Sequence, residues 1–303
     1  MSLPEPVAAV IPLQARRKPA LALLVALRPR QWPKNLLLFA GIIFASEVGN
    51  AGKWLQAGTA VLVYCAASSA AYLVNDLIDA PSDREHPVKR HRPLARGEVD
   101  SRTAIVVAAA LTGLATALAA ALGLVALGFL ALFLAIQAAY TLRLKHVVLL
   151  DVMSIATLFV IRAAAGADAV DVRISPWLLV CTALLALFLA LGKRRSELVL
   201  VGAEATPGRP VLEGYSLQLV DQLIGIVAAA TVVSYTTYTL SARESQALAA
   251  TIPFVLFGIF RYLLLLHRAG KGEEPENVLM TDAPILAAVA AWAIACAAIL
   301  VLG

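Results

Sequence analysis

Apolar runs of roughly membrane-spanning length, separated by short charged connections, set the pattern of this chain. A helix needs roughly 20 apolar residues to cross a bilayer, and somewhat fewer when its ends are polar. Nine segments answer to that length: 35–47, 56–79, 103–121, 123–142, 147–167, 176–192, 216–240, 248–268 and 283–302. The first is short. The third is almost all Ala, Leu, Thr and Val, which suits close helix packing through small side chains and permits a homo-oligomer. Residues 1–19 read as a disordered tail and 20–28 as a short interfacial helix. A secretory leader is not read there, because Arg28-Pro29-Arg30-Gln31-Trp32-Pro33-Lys34 stands where a small-residue cleavage site belongs. Residues 20–303 then form one transmembrane domain, an all-α polytopic membrane bundle of about nine helices.

Composition strengthens this picture. With 60% hydrophobic and 15% charged residues and a mean hydropathy of +0.81, 303 residues are too apolar for a soluble domain. The net charge of +5 does not point to nucleic acid, because the basic residues lie in short patches between apolar runs, as juxtamembrane charge does. Cys65, Cys181 and Cys296 stand singly, with no CxxC pair and no His at ligand spacing, so neither a disulfide nor zinc is expected. Arg162 and Arg261 fall within spans. Of the other Lys and Arg, only Lys53, Arg173 and Arg243 lie on one side of the membrane. The opposite side is therefore read as cytoplasmic in a plasma membrane, with the N-terminus inside.

The versatile chemistry gathers on that side. Asp76, Asp79 and Asp83 stand at i, i+3 and i+7, which puts them on one stripe of a helix end, with Asn75 at its edge. Carboxylates crowded at a membrane helix end repel one another and are costly to bury. A hard divalent cation with oxygen ligands resolves both problems, and Mg²⁺ is commonly shared between one or two carboxylates and substrate phosphates. The loop Arg84-Glu85-His86-Pro87-Val88-Lys89-Arg90-His91-Arg92-Pro93 is broken by Pro87 and Pro93, so it can fold back and present Lys89 and Arg92 to a bound phosphate. No His has a convincing partner as a base.

The string Asn75-Asp76-x-x-Asp79-x-x-x-Asp83-x-x-His86-Pro87-x-Lys89-x-x-Arg92-Pro93-Leu94-Ala95 resembles the first aspartate-rich motif and following loop of the UbiA superfamily of intramembrane prenyltransferases. That resemblance implies nine helices and a site opening on the cytoplasmic side. Most of the superfamily carries a second aspartate-rich motif after helix six. This chain has Gly192-Lys193-Arg194-Arg195-Ser196-Glu197 there, and fixed cations suit a phosphate bound directly. Together with Lys34 in the segment before the first helix, Tyr140-x-x-x-x-Lys145 and Asp151, this turn resembles the decaprenyl-phosphate phosphoribosyltransferase branch.

The resemblance implies phosphoribosyl pyrophosphate as donor and a polyprenyl (decaprenyl) phosphate as acceptor, with diphosphate released. The product would be a precursor of lipid-linked arabinose for cell-wall arabinan. It also implies catalytic roles for Asp76, Asp79, Asp83, Tyr140, Lys145 and Asp151. Lys34, Asn75, Lys89, Arg92, Arg162, Lys193 and Arg194 would contact substrate, with Mg²⁺ on Asn75, Asp76, Asp79 and Asp83. Arg162 follows Asp151 by eleven positions, close to the same helix face and about 16 Å deeper, so the two are expected to face one cavity unless Arg162 reaches the outer interface. A prenyltransferase with an aromatic or haem-like acceptor lacks its second acidic motif here. A transporter would gather its charges near the midplane, whereas these crowd one interface, Arg162 excepted.

Overall fold

The computed structural model describes residues 17–44, 49–85, 89–173, 175–201, 210–241, 246–268, 278 and 281–302. Among them every regular element is helical. In chain order these are α1 (Pro19–Ala26), a 3₁₀ segment (Pro29–Phe39), α2 (Ala40–Phe44), α3 (Ala51–Glu85) and α4 (Ser101–Leu122). Then come α5 (Leu124–Leu142), α6 (Leu150–Ala169), α7 (Pro176–Val201), α8 (Leu217–Ser241), α9 (Ile252–His267) and α10 (Ala283–Leu302).

Among the described residues seven stretches are long and apolar enough to cross a membrane, namely α3 to α8 and the continuous Gln246–His267. Helix ends follow local chemistry. The Asp100 side chain caps α4 by accepting from the Thr103 amide at 2.9 Å. The same hydrogen bonds from Thr103 hold the Asp100 carboxyl below its ordinary pKa. Gly123, at φ 135, closes α4 and opens α5 with no further linker, a conformation a side chain would strain.

The segment expected as the first span, 35–47, departs from an α-helix. It begins in the 3₁₀ segment and continues as the five-residue α2, and 45–48 lie outside the described residues. Pro29 and Pro33 remove amide donors that a helix would use. Irregular backbone at membrane depth has to be enclosed by protein, and α6 encloses it. A Cβ at Gly166 would collide with the backbone of Leu38, and one at Gly41 would stand 2.9 Å from Ala167 Cα. Two other expectations shift at their ends. Helix α3 continues past 79 to Glu85, with Pro81 inside it, and α7 continues past 192 to Val201, so the basic segment 193–197 is helical rather than a turn. Of the tail expected at 1–19, residues 1–16 lie outside the described residues.

Helices α3 and α6 are the most enclosed, with 56% and 67% of their apolar windows buried against 17% for α4 and α5. Asp76, Asp83, Asp151 and Arg162 are all carried by these two helices, where protein rather than lipid surrounds them.

Candidate active site

The extension of α3 brings all three aspartates of the stripe onto its last turns, where Asp76 and Asp83 are buried and Asp79 is half-buried. Each takes a cation from a different segment. Arg28 Nη2 donates to Asp76 Oδ1 at 2.6 Å. Arg92 Nη1 donates to both Asp76 Oδ1, at 3.2 Å, and Asp83 Oδ2, at 2.7 Å, and so ties the first carboxylate to the third. Lys145 Nζ donates to Asp79 Oδ1 at 2.6 Å and reaches Asn75 Oδ1 at 3.4 Å, while Asn75 Nδ2 donates to Asp79 Oδ2 at 3.0 Å. Lys89 lies within electrostatic reach of Asp83. His86 and Pro87 of the expected loop lie outside the described residues.

Local backbone explains how Arg28 arrives there. It sits between α1 and the 3₁₀ segment at φ 54 and ψ 57, a left-handed conformation that a non-glycine residue adopts at a cost. Its guanidinium stacks over the Tyr72 ring, 4.9 Å from the centroid. Burial works against its charge, but the Asp76 carboxylate outweighs that and raises its pKa. Sequence reasoning quoted Arg28 only within a longer string. Its visible signal is Pro29 directly after it, which keeps the residue before it out of the right-handed helical region.

A second charged group lies on α6 and α7. Arg194 Nε donates to Asp151 Oδ2 at 2.6 Å, and its Nη1 also pairs with Glu197. Tyr215, in the connection before α8, donates to Asp151 Oδ1 at 2.7 Å and accepts from the Leu149 amide at 2.8 Å. Burial, then the bond to Asp151, pushes the Tyr215 phenol above its usual pKa. Tyr140, on the last turn of α5, lies within electrostatic reach of Arg194. Lys193 and Lys34 are half-buried. Tyr215 was not singled out from sequence, since a lone aromatic beside an apolar span carries no distinguishing pattern.

Arg162 does not reach the outer interface, being 5% exposed on α6. Nε donates to Asn35 Oδ1 at 2.8 Å, Nη1 to the Leu158 carbonyl at 3.0 Å and Nη2 to Ser68 Oγ at 3.4 Å, with Phe133 and Phe159 against its faces. Among the described residues it has no carboxylate partner. Asp151 and Arg162 are therefore held by different neighbours, Asp151 by α7 and Tyr215, Arg162 by the 3₁₀ segment and α3.

The oxygen donors of the stripe suit a hard divalent cation. Among the described residues no cluster of three or more His, Cys, Asp or Glu forms a ready cage. Asp76, Asp79 and Asp83 offer carboxylate oxygens and Asn75 a carbonyl oxygen, the donor type that such a cation takes.

Comparison with known proteins bears on the family and the fold. The UbiA prenyltransferase family profile matches residues 36–281. The decaprenyl-phosphate phosphoribosyltransferase of Mycolicibacterium smegmatis is 35% identical, with 89% of each chain covered. Its namesake in Corynebacterium glutamicum is 32% identical over 88% of this chain and 83% of that one. A UbiA homologue from Archaeoglobus fulgidus, solved with DMAPP and Mg²⁺, shares the fold at a TM-score of 0.73 and 20% identity, covering 93% of this chain and 99% of that one.

Proposed function

The chain belongs to the UbiA prenyltransferase family, and from that premise we propose that it transfers the 5-phosphoribosyl group of phosphoribosyl pyrophosphate to a decaprenyl phosphate, releasing diphosphate. The observation that carries the reading is the convergence of Arg28, Arg92 and Lys145, from three separate segments, on the carboxylates of one helix end. Such a site holds cations and anions in near balance and can exchange its internal pairs for the oxygens of a polyanion. The names of the relatives, which align over most of their own length, support phosphoribosyl as the group moved.

Asp76, Asp79 and Asp83, with Asn75, hold Mg²⁺ in this reading. When bound it neutralises the diphosphate and improves it as a leaving group. Arg28, Arg92 and Lys145 turn from the carboxylates to the phosphate oxygens, and Lys89 and Lys34 add positive charge at the rim. The phosphate oxygen of the lipid is already an anion and needs no strong base. It forms a bond to the anomeric carbon as the carbon–oxygen bond to diphosphate breaks, and the electron pair leaves on the diphosphate. Lys193 positions the acceptor phosphate. Asp151 and Arg194 satisfy one another and act by orienting Tyr140 and the Lys145 turn. The basic bias of the connections supports a cytoplasmic site in a plasma membrane, which is also where a soluble sugar phosphate donor is found.

The test is incubation of purified protein with labelled phosphoribosyl pyrophosphate, polyprenyl phosphate and Mg²⁺, followed by organic extraction. Label should enter the organic phase, and chelation of Mg²⁺ should stop it. Label that stays aqueous contradicts the reading, and transfer from a prenyl diphosphate to an aromatic acceptor instead would favour the ordinary family reaction.

A further inference from the structure

We infer that Tyr215 is a positioning residue that keeps the Lys145 turn seated on the acidic stripe. The inference rests on the transferase reading above but concerns a residue outside the motifs. Lys145 stands in a short 3₁₀ turn, Leu144–His146, between α5 and α6. From there the chain enters α6 through Leu149, whose φ of 68 and ψ of −40 lie where a side chain is strained. Side-chain packing does little to hold that conformation, because Leu149 is 44% exposed.

Two side-chain hydrogen bonds brace it, beside the backbone bonds that open α6, from the Met153 amide to the Leu149 carbonyl at 2.9 Å and from the Asp151 amide to the Val147 carbonyl at 3.1 Å. The Leu149 amide donates to the Tyr215 hydroxyl at 2.8 Å, and that hydroxyl donates to Asp151 Oδ1 at 2.7 Å. Tyr215 itself is 5% exposed. The approach of the two connections is close: a Cβ at Gly214 would stand 2.4 Å from a methyl group of Val148. On the other side of Leu149 the chain is tied back in short steps. The His146 amide bonds the Arg143 carbonyl at 3.0 Å, and the Val147 amide bonds the Leu144 carbonyl at 3.1 Å. A shift at Leu149 therefore passes directly to the turn whose lysine reaches Asp79 Oδ1 at 2.6 Å. Arg194 completes the arrangement by fixing the other oxygen of Asp151 at 2.6 Å.

The experiment compares wild type, Tyr215→Phe, Lys145→Ala and the double variant in the label-transfer assay, with amide hydrogen exchange of the 143–150 peptide as a readout independent of activity. Tyr215→Phe should lower kcat/KM about tenfold, the scale of a buried hydrogen bond lost at a site, and should speed exchange of that peptide. It should add almost nothing to Lys145→Ala, because both act on one contact. Leu149→Gly, which adopts the same φ freely, should restore much of the rate to Tyr215→Phe, a rescue that a general packing defect would not show. Wild-type kinetics in Tyr215→Phe, additive losses in the double variant, or unchanged exchange would each overturn the role of Tyr215. A wild type that transfers no label counts against the transferase reading alone, and the exchange measurement then still decides whether Tyr215 holds the turn.

Discussion

The two charged clusters of this bundle are built from the same residue types and differ in what can leave them. On α3, the cations that meet Asp76, Asp79 and Asp83 come from connecting segments and keep part of their surface exposed: 26% for Arg28, 24% for Arg92 and 12% for Lys145. Between α6 and α7, Arg194 and Asp151 are 3% and 0% exposed, each on a helix, and both oxygens of Asp151 are bonded. An ion pair with one member on a connecting segment near the surface can be traded for a substrate's charge. A buried pair cannot be opened without leaving an uncompensated charge in a medium that solvates it poorly. The first cluster is thus suited to ligand exchange and the second to holding shape.

Substitutions can break or sharpen that contrast. Removing the carboxylate that two arginines share, Asp76→Ala, should lower label transfer by about a thousandfold while the protein still unfolds cooperatively in detergent; retained activity would take Asp76 out of the metal site. In the other cluster, Arg194→Met takes from the buried Asp151 the cation on its Oδ2 and should cost about 3 kcal/mol of stability, read as a lower Tm, with Mg²⁺-dependent donor binding kept by the folded fraction. A Tm like wild type would mean that the cluster is not structural. Arg92→Ala should reduce kcat/KM for the donor about a hundredfold, and Arg92→Lys should recover only part of it because an ammonium lacks the planar fork with which a guanidinium meets paired phosphate oxygens. Steady-state kinetics at varied donor concentration decides this. Lys193→Ala should have the smallest effect, about fivefold on the apparent KM for the lipid phosphate; a change in donor KM alone would reassign it.

Much of the fold was legible because spanning segments announce themselves by length and hydropathy, as with the long apolar runs of α4, α5 and α8. The first segment was not, because its apolar residues satisfy the same count while Pro29 and Pro33 dictate a 3₁₀ path that only Gly166 and Gly41 make room for. The stripe of Asp76, Asp79 and Asp83 was readable from spacing alone, since one helix carries all of it. Its partners were only partly so. Lys145 and Arg92 stand inside recognisable strings, but Arg28 is 48 residues from the Asp76 it meets, and periodicity says nothing about which distant cation arrives. Arg194 looked from sequence like a cation offered to phosphate. Tertiary packing gives it Asp151, from a helix 43 residues earlier, while α7 runs on through the basic stretch expected to end it. Arg162 was visible as an anomaly, and only the fold showed that its donors point at Asn35, Leu158 and Ser68.

The contrast between the clusters is tested most directly by equilibrium binding of labelled phosphoribosyl pyrophosphate to the detergent-solubilised protein, with and without Mg²⁺, in wild type, Asp76→Ala and Arg194→Met. Binding should require Mg²⁺, vanish in folded Asp76→Ala and persist in the folded fraction of Arg194→Met. Donor binding that is indifferent to Asp76 and lost with Arg194 would contradict the assignment of the diphosphate to the α3 stripe.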